Sequence, residues 1–115
     1  MTDRSCIFCK IILKELPAKI AYEDSACIAF HDRNPQAPVH LLVIPRKHFA
    51  SAAEADSSDE TLLGHLHRVA AQLASEHGLS SGHRVVMNTG AAAGQTVFHA
   101  HLHVLGGRAF RWPPG

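Results

Sequence analysis

Cysteine is scarce and odd in number: three in 115 residues. That argues against a secreted disulfide framework and for a reducing compartment, so a cytoplasmic protein is expected. No apolar run comes near the ~20 residues that cross a bilayer. The opening "MTDRSC" has no apolar signal core, so no export signal is expected. An excess of either charge is missing too, since Lys and Arg outnumber Asp and Glu by one. Nothing in that balance suggests a polybasic nucleic-acid surface or an acidic disordered tail. Repeats, low-complexity tracts and linkers are absent, and residues 1–115 read as one domain with a single modest core. No Lys-Ser/Thr closes a phosphate-binding loop of the Walker type. No strand-to-helix nucleophile elbow is expected, which disfavours a Ser-His-Asp hydrolase.

What the chain does have is histidine, ten residues of it. Three fall in "HAHLHVLGG", residues 99–107, at every second position. In a strand, residues two apart share a face. His99, His101 and His103 are therefore expected on one side, with Ala100, Leu102 and Val104 on the other. The chemistry open to such a row is metal binding, acid–base work or nucleophilic attack. One zinc cannot take all three from a straight strand. The outer pair is separated by about 13 Å of strand rise, whereas zinc holds nitrogen at about 2.1 Å. The triad should divide its labour.

The remaining chain supplies helices and strands in a readable order. "CIFCKIILKEL" carries Ile7, Ile11 and Ile12 at near-helical spacing, with Ser5 to cap it and Pro17 to end it. "KIAYE" and "CIAFHD" form a hairpin candidate around "DSA". "RNPQAP" is a turn-rich loop, and "HLLVIP" is a buried strand. "SSDETLLGHLHRVAAQLASEHGL" is the clearest helix: Ser58 precedes it, Asp59 and Glu60 suit its positive end, and Gly78 closes it. Its core stripe is Leu62, Leu63, Leu66, Val69, Ala70 and Leu73. "HRVVMN" and "HAHLHVL" are the last strands. The order argues for an α+β domain, a mostly antiparallel sheet with its helices packed on one face.

Three further stretches carry candidate chemistry. Cys6 and Cys9 form C-x-x-C. It is either half of a Cys2His2 zinc site with His48 and His99, or a pair of thiols on an ordinary helix turn. A thioredoxin-like pair is disfavoured because no βαβ pattern surrounds it. "NTGAAAGQT", residues 88–96, could bring backbone N–H groups up to a phosphate or a carboxylate. A neutral histidine beside such a loop can attack phosphorus and carry a nucleotidyl group. In the tail "GGRAFRWPPG", the Trp between Arg and Pro either packs on a partner or over a site, or sits on a loosely held end.

Taken together these residues resemble the histidine-triad family. "HAHLHVL" matches its His-x-His-x-His pattern followed by two apolar residues. "AGQTVFHAHLHVLGGR", "FHDRNPQAPVHLLVIPRKH" and the ending "WPPG" are similar to the HINT branch, the purine nucleoside phosphoramidases. The likeness runs from Phe8 to Gly115. It implies a HIT-like α+β fold, with a five-stranded antiparallel sheet and two main helices. It also implies sheets joined across a homodimer and residues 107–115 reaching toward the partner. The implied reaction is hydrolysis of the P–N bond of AMP or GMP derivatives, and of related aminoacyl-adenylates, with no organic cofactor and with neither nucleic acid nor membrane as partner.

The resemblance also implies roles. His101 is the nucleophile, His103 contacts the phosphate, and the His99 carbonyl fixes the His101 tautomer. Asn88, Gly94, Gln95 and Thr96 fall where the phosphate and leaving group bind. Asp32 falls at the ribose hydroxyls, with Phe30, His31 and Arg33 lining the nucleoside pocket. Trp112 matches a residue that reaches the neighbouring subunit's site. Thr96 stands where many members carry Ser, and Arg33 where an apolar residue is usual. Cys6, Cys9, His48 and His99 resemble the ligands of the zinc-binding relatives, which implies a structural zinc. The same superfamily holds dinucleoside polyphosphate hydrolases, from which "WPPG" and the compact length separate this chain. A nucleotide-binding regulatory protein is the reading from a different class.

Overall fold

The computed structural model describes residues 5–115. Residues 1–4, on which most of the reading of "MTDRSC" falls, lie outside the described residues. Ile7–Ile12 form α1, followed by strands β1 (Ile20–Glu23), β2 (Cys27–His31) and β3 (Val39–Pro45). Helix α2 (Glu60–Glu76) leads to β4 (His83–Val86) and β5 (Leu102–Gly106). The strands make one antiparallel sheet in the order β1-β2-β3-β5-β4. Among the described residues no helix is long and apolar enough to cross a membrane.

The β1–β2 turn is built by Asp24. Its Oδ1 accepts from the backbone N–H groups of Ala26 and Cys27, both at 2.8 Å. Its Oδ2 accepts from Tyr22 and from His65 of α2, both at 2.7 Å. One carboxylate therefore fixes a hairpin and pins a helix to it.

The expectation that both helices share a face is corrected. Cys27, Ala29, Leu41, Val43, Leu102 and Val104 pack under α2 against Leu66, Val69, Ala70 and Leu73. The alternate residues, Ile28, Phe30, Leu42 and Ile44, pack under Phe8 of α1 on the other face. The near-continuous apolar run of β3 is the cause. A strand buried between β2 and β5, apolar on both sides, needs cover on both.

The helix ends differ from expectation in part. Cys6, not Ser5, caps α1, with its Sγ accepting from the Cys9 N–H at 3.3 Å. The helix stops at Ile12, well before Pro17, because Lys14 turns left-handed (φ 63°) and Glu15 N–H closes on the Lys10 carbonyl. Asp56 and Asp59 form the capping box of a 3-10 turn that opens into α2. Gly78 ends α2 at φ 77°, as its position suggested.

Strand β5 begins at Leu102, three residues later than the histidine pattern implies. The double glycine that closes the strand is sterically set. A Cβ on Gly106 would sit 2.5 Å from Leu79 Cδ1. Gly107 has φ 91°, and a Cβ there would lie 2.9 Å from Pro38 Cβ.

Candidate active site

The α1 side of the sheet carries a cleft of about 850 Å³. His101 and His103 line it together with Phe8, Phe30, Asp32 and Thr96. The end of β2 supplies Asp32, the loop before β5 supplies Gly94 and Thr96, and α1 supplies the apolar wall. Gly94 holds φ 97°, which lets the 90–96 loop bend back beside the histidines.

The three triad histidines do not share one face of a straight strand. His99 and His101 precede β5 in irregular backbone, anchored by Ala100 N–H on the Phe49 carbonyl at 2.8 Å. Their rings separate accordingly. His99 turns into the interior and is fully buried. His101 and His103 face the cleft, with ring centroids 4.9 Å apart. A backbone departure from the strand thus sends one ring to the interior and two to the cleft.

His101 and His99 each have one nitrogen committed to a carbonyl, which can only accept. His101 Nδ1 lies 2.7 Å from the His99 carbonyl, so it carries the proton and donates. Its Nε2 is left with a lone pair. His99 Nε2 lies 2.8 Å from the Pro45 carbonyl, so it donates there and leaves Nδ1 bare. Burial pushes His99 down to about 4, against the pull of the Pro45 carbonyl. Burial also pushes His103 down to about 4, helped by its imidazole neighbours His101 and His40. Burial lowers His101 in the same direction, opposed by the His99 carbonyl and the Asp32 charge. Neutral imidazoles are therefore the resting state near pH 7, as a nitrogen nucleophile requires.

Behind this face, Cys6, Cys9, His48 and His99 converge, with their four ligand atoms within 4.8 Å of one another. Cys6 Sγ and Cys9 Sγ lie 3.4 and 3.6 Å from His99 Nδ1, and Cys9 Sγ lies 3.4 Å from His48 Nδ1. The two Nδ1 atoms are 3.0 Å apart. Tetrahedral zinc, with bonds of about 2.3 Å to sulfur and about 2.1 Å to nitrogen, sets S···N at ~3.6 Å and N···N at ~3.4 Å. The quartet fits that ion to within a few tenths of an ångström. Its bare His99 Nδ1, held by the Pro45 carbonyl behind, has the outer hydrogen bond typical of a ligating histidine.

The other site candidates fall unevenly. Arg33 lines the cleft mouth and is exposed. His31 borders the cleft, but its ring stands 5.9 Å from that of His77 at the end of α2. Gln95 is buried, and its side chain staples the loop. The amide donates to the Ala50 and Val97 carbonyls, and Oε1 accepts from Gly90 N–H. Asn88 lies behind Gly94, outside the cleft lining. Trp112 is 84% exposed on its own chain. Arg84 holds the tail beneath it by donating to the Arg111 carbonyl and, with Arg108, flanking the Phe110 ring. One stretch, residues 78–82, does spell Gly-x-Ser-x-Gly. It is the turn from α2 into β4, the reverse of a strand-to-helix elbow, and its Ser80 is exposed.

Two residues of the site take their roles only from the fold. His40 is buried and bonded to His103 at 2.9 Å. Phe8 presents ring contacts to Phe30, His99 and His101 at 5.4, 6.0 and 5.2 Å. The signal for His40 was a histidine at the head of an otherwise apolar buried strand. For Phe8 it was an aromatic between two cysteines.

Comparison with known proteins agrees with this architecture. The family model described as the scavenger mRNA decapping enzyme C-terminal binding region matches residues 5–109. A HIT-like protein of Synechococcus elongatus is 54% identical over 109 residues, covering 95% of this chain and 96% of the relative. A HIT family hydrolase from Legionella pneumophila superposes with a TM-score of 0.93 at 47% identity, over 96% of this chain and 99% of that one. A histidine triad protein from Clostridium difficile has a TM-score of 0.93 at 40% identity, over 96% and 97%. With a family model matched along nearly its whole length and relatives about half identical across it, this chain belongs to the histidine-triad family.

Proposed function

We propose that the chain is a nucleotidyl hydrolase that breaks the P–N bond of purine nucleoside 5′-phosphoramidates, and acts on related aminoacyl-adenylates, through a covalent nucleotidyl-histidine. One observation carries this reading. His101 gives its Nδ1–H to the His99 carbonyl and so turns a bare Nε2 on the cleft. Nε2 attacks phosphorus, and the P–N bond breaks. The amine departs with a proton taken from water in the cleft, which Thr96 lines. Water then attacks the phosphorus, the N–P bond to His101 breaks, and the nucleoside monophosphate leaves with His101 restored. His103 donates to a phosphate oxygen as negative charge grows there. Asp32 takes the ribose hydroxyls through Oδ2, since Oδ1 already accepts from Asn34 N–H at 2.8 Å. Phe8, Phe30 and Ile11 offer the base an apolar wall, and Arg33 stands at its mouth.

Cys6, Cys9, His48 and His99 would hold a structural zinc. When bound, that ion cross-links the start of α1 to the backbone carrying His101 and supplies no step of the reaction. The functional unit is a homodimer in a reducing cytoplasm. Two observations support the dimer. Strand β4 is one of the two edge strands of the sheet, and Trp112 finds almost no cover on its own chain. Turnover of adenosine 5′-phosphoramidate, measured beside AMP binding, tests the reading. Amine release with AMP as product is expected. Tight AMP binding without turnover would replace the hydrolase with a binding module.

A further inference from the structure

His40 lies opposite Leu105 in the β3–β5 register, two pairs along from Leu42 and His103 and so on the same face. The two rings meet, with His40 Nε2 2.9 Å from His103 Nδ1. Heavy-atom positions alone do not say which nitrogen owns the proton between them. The other side of His40 decides it. The backbone N–H of Gln36 points at His40 Nδ1 at 3.0 Å, and a backbone amide can only donate. His40 Nδ1 is therefore the acceptor, and a neutral His40 carries its proton on Nε2. That proton goes to His103 Nδ1, which must accept. A neutral His103 is then left with its proton on Nε2. No other protein group bonds that nitrogen among the described residues, and the ring lines the cleft.

We infer that His40 is a positioning residue that fixes His103 as an Nε2–H donor toward the cleft, with the Gln36 amide as the origin of the chain. The two cleft histidines then have opposite polarity: His101 shows a lone pair and His103 shows a proton. A nucleophile and a hydrogen-bond donor for the same phosphate stand side by side without either being charged. Asp32 Oδ2 lies 3.4 Å from His40 Nε2, farther than His103, and its charge favours positive character building up on the pair. The same three residues are close enough to suggest a cation site, with ligand atoms within 4.8 Å. The Gln36 amide argues against it, because a neutral His40 bonded there has no lone pair on Nε2 to give. The kinetic part of the inference rests on the hydrolase reading above. The assignment of protons does not.

The test is long-range proton–nitrogen correlation on the full chain carrying 15N-histidine, near ~pH 7.5, where these imidazoles are neutral. His103 is assigned by its loss in His103→Gln. The wild-type spectrum should show His103 protonated at Nε2 and bare at Nδ1. His40→Leu removes the donor and should turn His103 into a tautomer mixture. AMP affinity and turnover should fall by about tenfold or more. His40→Gln keeps an amide nitrogen close to the lost Nε2 and should restore both the spectrum and most of the activity. A wild-type His103 protonated at Nδ1 overturns the inference. So does a His40→Leu variant, folded by its amide spectrum, with His103 and AMP affinity unchanged. If His40→Leu does not fold, the wild-type spectrum and His40→Gln still decide. A wild type that shows the expected nitrogen pattern but hydrolyses nothing would defeat the proposed activity and leave the proton assignment standing.

Discussion

Replacing Phe8 probes how α1 supports the nucleophile. Its ring is 5% exposed and touches Phe30, His99 and His101 through edge-to-face contacts. Truncating a buried Phe to Ala costs about 3–5 kcal/mol, because the lost transfer energy adds to an unfilled cavity. Here the cavity opens on the cleft and can take water, which favours the lower part of that range, about 3–4 kcal/mol. A chain of 115 residues has an unfolding entropy of about 0.24 kcal/mol per kelvin. The melting temperature should therefore fall by about 12–17 °C. Phe8→Leu keeps most of the volume and should cost less than about 1.5 kcal/mol, or about 6 °C. It nevertheless removes the edge-to-face contact of Phe8 with His101. Its kcat should drop several-fold at a temperature where the variant is fully folded, with AMP affinity changed less. Calorimetry and steady-state kinetics on the same preparations check both parts. A drop in Tm below about 3 °C for Phe8→Ala would refute the packing argument. Wild-type kcat in Phe8→Leu would refute the positioning argument.

Three other outcomes follow from particular side chains. Burial alone would raise the Asp24 carboxyl, but the hydrogen bonds from Tyr22, His65, Ala26 and Cys27 outweigh it and hold it well below the usual range. The stability it contributes is full above its unfolded value of about 3.9 and is lost as pH falls through the lower folded value. Denaturant midpoints of wild type and Asp24→Asn should thus differ most above ~pH 5 and converge below ~pH 3, whereas a constant gap would contradict the linkage. Elemental analysis of protein purified without chelator should find about one zinc per chain, and none in Cys6→Ser, Cys9→Ser. Equal metal in both would exclude the cysteines as ligands. Deleting residues 111–115 should change the ranking of phosphoramidates that differ only in the amine, with AMP affinity nearly unchanged; uniform slowing of all substrates would remove Trp112 from the leaving-group side.

Local pattern carried the sheet strands, α2 and the Gly78 stop, because periodicity and helix-end chemistry act within a few residues. The continuous apolar run of "HLLVIP" also held the two-sided burial of β3, yet the helices were expected on one face. Nothing near Phe8 says which face α1 will take. The start of β5 was misread for a related reason. Alternating histidines look like a strand, whereas His99 leaves the ladder to reach cysteines about ninety residues away in sequence. His40 stands out in sequence as a histidine at the head of an apolar strand, but its role lies in the register between β3 and β5 and in an amide four residues back. Gln95 shows the opposite effect: a polar residue in a glycine-rich loop reads as a ligand donor, but its amide is consumed by loop carbonyls.

The central claim is that His101 Nε2 forms a bond to phosphorus. Rapid quenching of the enzyme with adenosine 5′-phosphoramidate, followed by intact mass measurement and peptide mapping, tests it most directly. The account predicts a transient adduct of one adenylyl group per chain, located on His101 and absent from His101→Ala, which should be folded and inactive. An adduct on another residue would contradict it. So would wild-type turnover without any adduct together with a His101→Ala variant retaining more than about a hundredth of the wild-type rate.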